Sequence, residues 1–460
     1  MNETLHFYFT SDLHSHFENW PKIMHAINQR INKHQSNDEF YMLLDNGDHM
    51  DRSHPITEAS LGDSNITLLN HADFRVGTLG NNEGITLPAE KLYHLYDQAD
   101  FDIVCANISI KNKNNPDWLN PYQIYQTPSG IKIGIIGLTA PFEVFYEKLG
   151  WETHHPLEKL RQYLPEVREQ SDMVIVLSHL GVTQDEAIAS EYDVDVIMGG
   201  HTHHLFKQAQ NQNHSLINAV GKHGHYFGEI MLEFNHTTKR VEKKEGYAIP
   251  VEAEGEDENT NQLLKELEQQ ANDELSQVVA DLDQPYPIDW LRESKLMKAF
   301  VQTLQDWTDA DCAMLNAGVL LKGFDQGLVT RGEIHESCPH PMNPCTMVLT
   351  GNELLEMVRM LEKEQFINFE LKGLGFRGKK IGKMVYSNIE IKYHDDTEFV
   401  ETIFVNGEKI NPDHRYTVAT ADTFSFPWLV PPISSVKEKQ YFLPEFLRDL
   451  LEKCLSNIEN

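Results

Sequence analysis

The sequence predicts an α/β protein of two domains, and three observations carry that prediction. Short apolar runs that read as buried strands recur through the first half of the chain. Most of them end in a polar segment rich in Asp, Asn and His. An acidic stretch across residues 252–282 then separates this half from a second one, in which strand-like and helical runs mix differently. At 460 residues the chain also exceeds the usual size of one core.

In chain order, residues 5–10 precede Asp12, residues 40–44 precede Asp48, residues 173–177 precede His179 and residues 195–198 precede His201. A rigid sheet aims the loops at its strand ends toward one point, so side chains following such runs are placed to converge. The polar segments are Asp12-Leu13-His14, the run from Asn46 through Gly47, Asp48, His49, Met50 and Asp51 to Arg52, Gly80-Asn81-Asn82-Glu83, Ser178-His179-Leu180-Gly181 and Gly199-Gly200-His201-Thr202-His203. Singly, Asp-x-His reads as a turn or cap, Gly-Asn-Asn-Glu as a loop and Ser-His-Leu-Gly as a core histidine with its bonds made. Gly-His-Thr-His is more specific, because two imidazoles so close after paired glycines are awkward to bury without a partner. Together the segments supply Asp, Asn and His but no Cys, which suits hard-to-borderline divalent ions.

The ordered set resembles the calcineurin-like metallophosphoesterase superfamily, and the second half narrows the resemblance to 5'-nucleotidases. There Asn316-Ala317-Gly318, Gly327-Leu328-Val329-Thr330, Pro341-Met342-Asn343 and Leu349-Thr350-Gly351 are similar to that family's C-terminal motifs. The resemblance implies a four-layer α-β-β-α metallophosphoesterase domain over residues 1–255, an interdomain helix or linker over 256–288, and a smaller α+β 5'-nucleotidase C-terminal domain over 289–460. It also implies two divalent metal ions, with Mn, Zn, Fe, Co and Mg all compatible. Asp12, His14 and His203 would hold one, Asn81, His179 and His201 the other, and Asp48 would bridge them. A hydroxide held between the metals would attack phosphorus in line with the leaving oxygen.

Asn82 departs from the pattern, since the family has a histidine there that helps the leaving group depart. An amide donates a hydrogen bond but carries no proton to give at neutral pH. His49 or metal-bound solvent is expected to take over part of the role, with His16 and His204 nearby in sequence. Arg52, in a Gly-Asp-x-x-Asp-Arg run similar to that of protein Ser/Thr phosphatases, reads either as a phosphate fork or as half of an ion pair.

In the second half, a helix is expected over 262–282, another ending near Trp307, and strands at 312–315, 346–349, 384–391 and 416–420, with a helix over 353–363. The family binds a nucleoside with this domain. Transferred here, that implies Asn316, Asn343, Phe376, Arg377, Phe424 and Phe426 as substrate-binding candidates, with Trp428 a further stacking aromatic. Leu320 stands about where the family's arginine anchor would fall, so that anchor is missing unless Lys322 or Arg331 replaces it.

The reading is therefore a dinuclear hydrolase of nucleotide phosphate esters, with 5'-monophosphates leading. Phosphodiester or pyrophosphate cleavage of cyclic nucleotides, nucleotide sugars or dinucleotides, and a metal-dependent nucleotide binder without turnover, stay open as alternatives. A net charge of −31 argues against nucleic acid or an anionic membrane as partner. Met1 leads straight into a strand-like run, which reads as cytoplasmic. The five cysteines lack zinc-ribbon spacing, and oligomeric state leaves no signal.

Overall fold

The computed structural model describes residues 2–251, 255–395, 397–426, 429–431 and 436–458. The chain divides into two compact units, Met1–Ala271 and Asn272–Asn460.

In the first unit, two mixed sheets lie face to face. The seven-stranded sheet centres on Asn2–Thr10, which runs parallel to Phe40–Asp45 and antiparallel to Tyr226–Asn235. The six-stranded sheet centres on Met173–His179, parallel to both Lys132–Thr139 and Val196–Gly199. Alternation along the strands sorts the side chains into layers. Leu5, Phe7, Phe9, Met42 and Leu44 from one sheet meet Ile133, Ile135, Ile175, Leu177 and Met198 from the other. The opposite face of the second sheet, with Ile136, Leu138, Val174 and Val176, is covered by Leu160, Leu164, Val167 and Ile188 of the helices Pro156–Gln170 and Val182–Glu191. The helix Trp20–Asn37 buries Trp20, Ile23, Met24 and Ile27 and packs beside Phe40–Asp45. This is the α-β-β-α layering that the resemblance implied.

Parallel pairing sets the strand ends side by side. Thr10 is in register with Asp45, and Ser178 with Gly199. The segments beginning at Asp12, Asn46, His179 and Gly200 therefore leave the sheets at one edge.

The helix expected over 262–282 runs over Glu258–Leu275 instead. Val278–Leu282 forms a strand antiparallel to Gly327–Thr330, because the β-branched pair Val278-Val279 follows the last helical turn and finds a partner edge.

The second unit has a five-stranded sheet in the order Met384–Ser387, Cys312–Asn316, Arg415–Ala421, Pro344–Thr350, Lys439–Tyr441, with the helices Lys295–Thr308, Gly351–Leu361 and Leu447–Asn457 contributing to its core. The single strand expected over 384–391 is broken at Asn388, whose φ of 57° ends one strand before Ile389–Tyr393 begins. Two motifs of this half are helix starts. Thr330 caps Arg331–Ser337 and Thr350 caps Gly351–Leu361, each in a capping box with the glutamate three residues on. All five cysteines are free and buried.

Within this unit His340 is fully buried, donating from Nε2 to Val319 O (2.9 Å) and accepting from Arg377 N (2.9 Å). Burial pushes its pKa down to about 3 from an ordinary 6.5. The unfolded chain binds a proton here that the folded chain refuses, so stability falls as pH drops from about 6.5 toward 3. Urea unfolding followed across that window should show the loss in the parent protein and a shallower pH slope in His340→Gln.

Candidate metal centre

The converging segments are tied by backbone bonds before any side chain acts. Asp12 N donates to Gly47 O (3.0 Å), His14 N to Asp48 O (2.9 Å) and Gly200 N to Ser178 O (2.9 Å). Glu83, buried, works from a third direction: Oε2 accepts from Asp48 N (3.0 Å) and Gly80 N (2.9 Å), and Oε1 from Met50 N (3.1 Å). Asp12, His14, Asp48, His201 and His203 all sit at positive φ, between 50° and 68°. That conformation is costly for non-glycine residues, and such strain clusters where side chains must be aimed. Gly80 is forced by proximity, since a Cβ there would come within 2.1 Å of Asp48 Oδ1.

Two groups of side chains result. Asp12, His14 and His203 form one, and Asp12, Asp48 and His179 the other, with ligating atoms in each group within 4.8 Å of one another. Asp12 Oδ1 lies 3.3 Å from His203 Nε2 and 3.9 Å from His179 Nε2. Asp48 Oδ2 lies 3.3 Å from His179 Nε2 and 3.7 Å from His14 Nε2, so it faces both groups. Beside them Asn81 Oδ1 is 2.8 Å from His201 Nδ1.

His179 shows most directly what the cluster suits. It is fully buried, its Nδ1 lies 2.8 Å from Asn46 O, and its Nε2 has no hydrogen-bond partner. The carbonyl fixes a proton on Nδ1, so Nε2 is the nitrogen aimed into the carboxylates. Burial opposes charge on this ring, but Asp48 and Asp12 outweigh it and raise its pKa to about 10. Burial likewise opposes ionisation of both aspartates, yet His179 and the neighbouring histidines hold them below the ordinary carboxylate range. A pocket in which buried carboxylates favour positive charge on the nitrogen between them fits divalent ions, which would take that proton's place and whose ligand bonds of roughly 2.0–2.2 Å put ligand atoms up to about 4.4 Å apart. Asp12, His14, Asp48, Asn81, His179, His201 and His203 could all reach such ions.

The other expected residues are placed differently. His49 is turned into the domain: its ring stands edge-on to Trp20 at 4.9 Å, Nδ1 lies 3.0 Å from Asn65 Nδ2, and burial lowers its pKa to about 3. A neutral ring packed this way corrects the expectation of a proton donor. Of the two readings of Arg52, the geometry fits the ion pair, because Nε and Nη2 bind Glu58 at 2.8 and 3.1 Å while Nη1 donates to Thr86 O at 2.8 Å. Asn82 stays at the centre. Its backbone N donates to Asp48 Oδ1 (2.7 Å), and its amide nitrogen donates to Met50 O (2.9 Å) and lies 3.0 Å from His14 Nδ1.

In the second unit most expected substrate contacts serve packing. Asn316 donates to Ile381 O (2.8 Å) and Asn343 to Glu445 O (2.7 Å). Phe424 is fully buried, and Phe376 is 3% exposed with His340 stacked on it at 5.0 Å. Phe426 is half-buried and Arg377 exposed. Trp428 lies outside the described residues.

His223 was passed over in the sequence. Its N donates to Asp12 O (2.8 Å), and its ring lies 3.7 Å from that of His16 and 5.9 Å from that of His14. The signal was the Gly221-Lys222-His223-Gly224-His225 turn that follows the strand Ser215–Ala219.

Fold and site together define a metal-dependent phosphoesterase. Residues 5–205 match the calcineurin-like phosphoesterase family and residues 278–427 the 5'-nucleotidase C-terminal domain. The metallophosphoesterase YunD of Bacillus subtilis, itself uncharacterised, is 41% identical over 98% of this chain and 99% of its own. The chain belongs to the calcineurin-like metallophosphoesterases with a 5'-nucleotidase C-terminal domain. It shares its fold with an NAD nucleotidase of Haemophilus influenzae (TM-score 0.69, 14% identity, 99% of this chain and 97% of that one). A 5'-nucleotidase precursor of Thermus thermophilus is similar as well (TM-score 0.62, 18% identity, 99% and 96%). The family is one of enzymes that use divalent metals, and the alternative of a binder without turnover gives way to it. No helix among the described residues is long and apolar enough to cross a membrane.

Replacing a candidate ligand in the buried cluster should cost more than the roughly 10–100-fold in metal affinity that follows loss of an outer partner. Asp48→Asn and His179→Ala should each exceed that loss when metal is titrated against a chromophoric chelator. Gly80→Ala should behave like them by displacing the Asp48 carboxylate.

Proposed function

We propose that this chain hydrolyses phosphate esters of nucleotides, with 5'-nucleoside monophosphates as the leading substrate. The observation that carries the reading is the buried Asp12–Asp48–His179 group with an unpartnered Nε2 aimed into it, joined in one chain to a 5'-nucleotidase C-terminal domain. Two divalent ions bound there would polarise the phosphoryl group and activate water for attack on phosphorus. Asp12, His14 and His203 would hold one ion and Asn81, His179 and His201 the other, with Asp48 shared between them. Asn46 O holds the His179 ring in the tautomer this needs, and Glu83 holds the loops that carry Asp48 and Gly80. Asn82 positions rather than protonates: its amide fixes the side of His14 that faces away from Asp12 and Asp48. In the second unit, exposed Arg377 and half-buried Phe426 are the expected side chains that reach the surface to contact a nucleoside.

A second reading, cleavage of diesters or diphosphates, is favoured by Asn82. Leaving groups of low pKa depart without a proton, so a site lacking an imidazole at that position handles them at less cost than a nucleoside alkoxide.

Phosphate and nucleotide products formed from nucleoside mono-, di- and cyclic phosphates with Mn²⁺, beside Asp48→Asn, test the reading. Hydrolysis of 5'-monophosphates that vanishes in the variant is the expected result, and cleavage confined to diesters or diphosphates would select the second reading. Asn82→His should raise turnover of monophosphates by about a hundredfold, the lower end of what a positioned proton donor contributes, with little change on diphosphates.

A further inference from the structure

On the face of the seven-stranded sheet turned away from the other sheet, a second set of metal-ligating side chains gathers. His6, His34 and Glu39 each bring a ligating atom within 4.8 Å of those of the other two. Residues alternate across a strand, so in Asn2–Thr10 the side chains of His6 and Tyr8 stand opposite Leu5, Phe7 and Phe9, of which Leu5, Phe7 and Phe9 fill the core between the sheets. His34 sits in the last turn of the helix Trp20–Asn37. Asp38 then takes a left-handed φ of 55°, and Glu39 N donates to His34 O (2.9 Å), so that Glu39 Oε2 returns to within 2.8 Å of His34 Nδ1. His6 lies four residues short of Thr10, about 13 Å along the strand at the usual rise, which separates this set from the Asp12–Asp48 cluster.

We propose that His6, His34 and Glu39 form a further binding site for one borderline divalent ion, of which Zn²⁺ is the type. Such an ion ties the first strand, the end of the first helix and the turn after it together. The inference is independent of the nucleotide reading above.

Three observations select that ligand. His6 Nδ1 is buried and has no hydrogen-bond partner among the described residues, a costly state for a polar atom unless a ligand completes it. Burial, and after it the neighbouring His34, lowers the pKa of His6, which keeps the ring neutral and able to ligate. His34 has the outer partners that metal-bound histidines have. With an ion on Nδ1 its ring proton sits on Nε2, where Tyr8 Oη accepts it at 2.7 Å and donates in turn to Glu229 Oε1 at 3.2 Å. The ion then replaces the proton that joins Nδ1 to Glu39. Finally, two imidazoles and one carboxylate suit borderline ions better than Mg²⁺ or Ca²⁺, which take oxygen ligands. The Glu39 side chain is 38% exposed, so the ion enters from solvent and water completes its shell.

The test titrates Zn²⁺ into the full chain against a chromophoric chelator, with His6→Gln and Glu39→Gln beside the parent. Each variant should lose one equivalent of bound Zn²⁺ or hold it at least tenfold more weakly. The same difference should persist when all three chains also carry His179→Ala, which weakens the other cluster. In that background Zn²⁺ should also raise the midpoint of urea unfolding, and each added substitution should shrink the rise, because an ion that binds only the folded chain stabilises it. Equal stoichiometry and affinity in all three chains would overturn the proposal. Glu39→Gln alters a side chain at the surface and decides the matter by itself should His6→Gln fail to fold.

Discussion

The structure depends on keeping Asp12 and Asp48 ionised inside the protein. Buried carboxylates are costly unless paired, and here they face one another's histidines at distances of 3.3 to 3.9 Å. Much of the first unit serves that arrangement. Parallel strand pairing brings four loops to one edge, backbone bonds lock the loops together, and five residues accept left-handed backbone conformations to aim their side chains. Asn46 and Glu83 never enter the cluster, yet they set the His179 tautomer and the Asp48 loop.

The same constraint accounts for the residues that do not take part. A rigid rim around a charged cluster needs anchors, and Arg52 is one: clamped to Glu58 and Thr86 O, it ties the loop after Asp48 to the segments that follow it. His49 is another, filling the space between Trp20 and Asn65. Both stand next to candidate ligands in sequence and carry suggestive chemistry. Neighbours of an aimed side chain point elsewhere by geometry, and here they point into the domain.

In the second unit the family motifs mark architecture more than contact. Thr330 and Thr350 start helices, Gly351 has no room for a Cβ because Asn411 O lies 2.0 Å from where it would stand, and Asn316 and Asn343 satisfy backbone carbonyls. A motif fit for nucleotide recognition and a motif fit for closing a helix can be the same letters, and burial tells them apart.

Sequence by itself determined the two-domain α/β plan, the strands that end at Asp12, Asp48, His179 and His201, and the Asp, Asn and His set suited to divalent ions. These are legible because short apolar runs and their boundaries are local properties of the chain. The tertiary structure decided what depends on facing: that Asp48 looks toward both histidine groups, that Arg52 and His49 look away, that Phe424 is core, and that His223 lies beside the cluster. Those outcomes turn on contacts between residues far apart in the chain, and no local pattern encodes which way a side chain turns once the sheets have met.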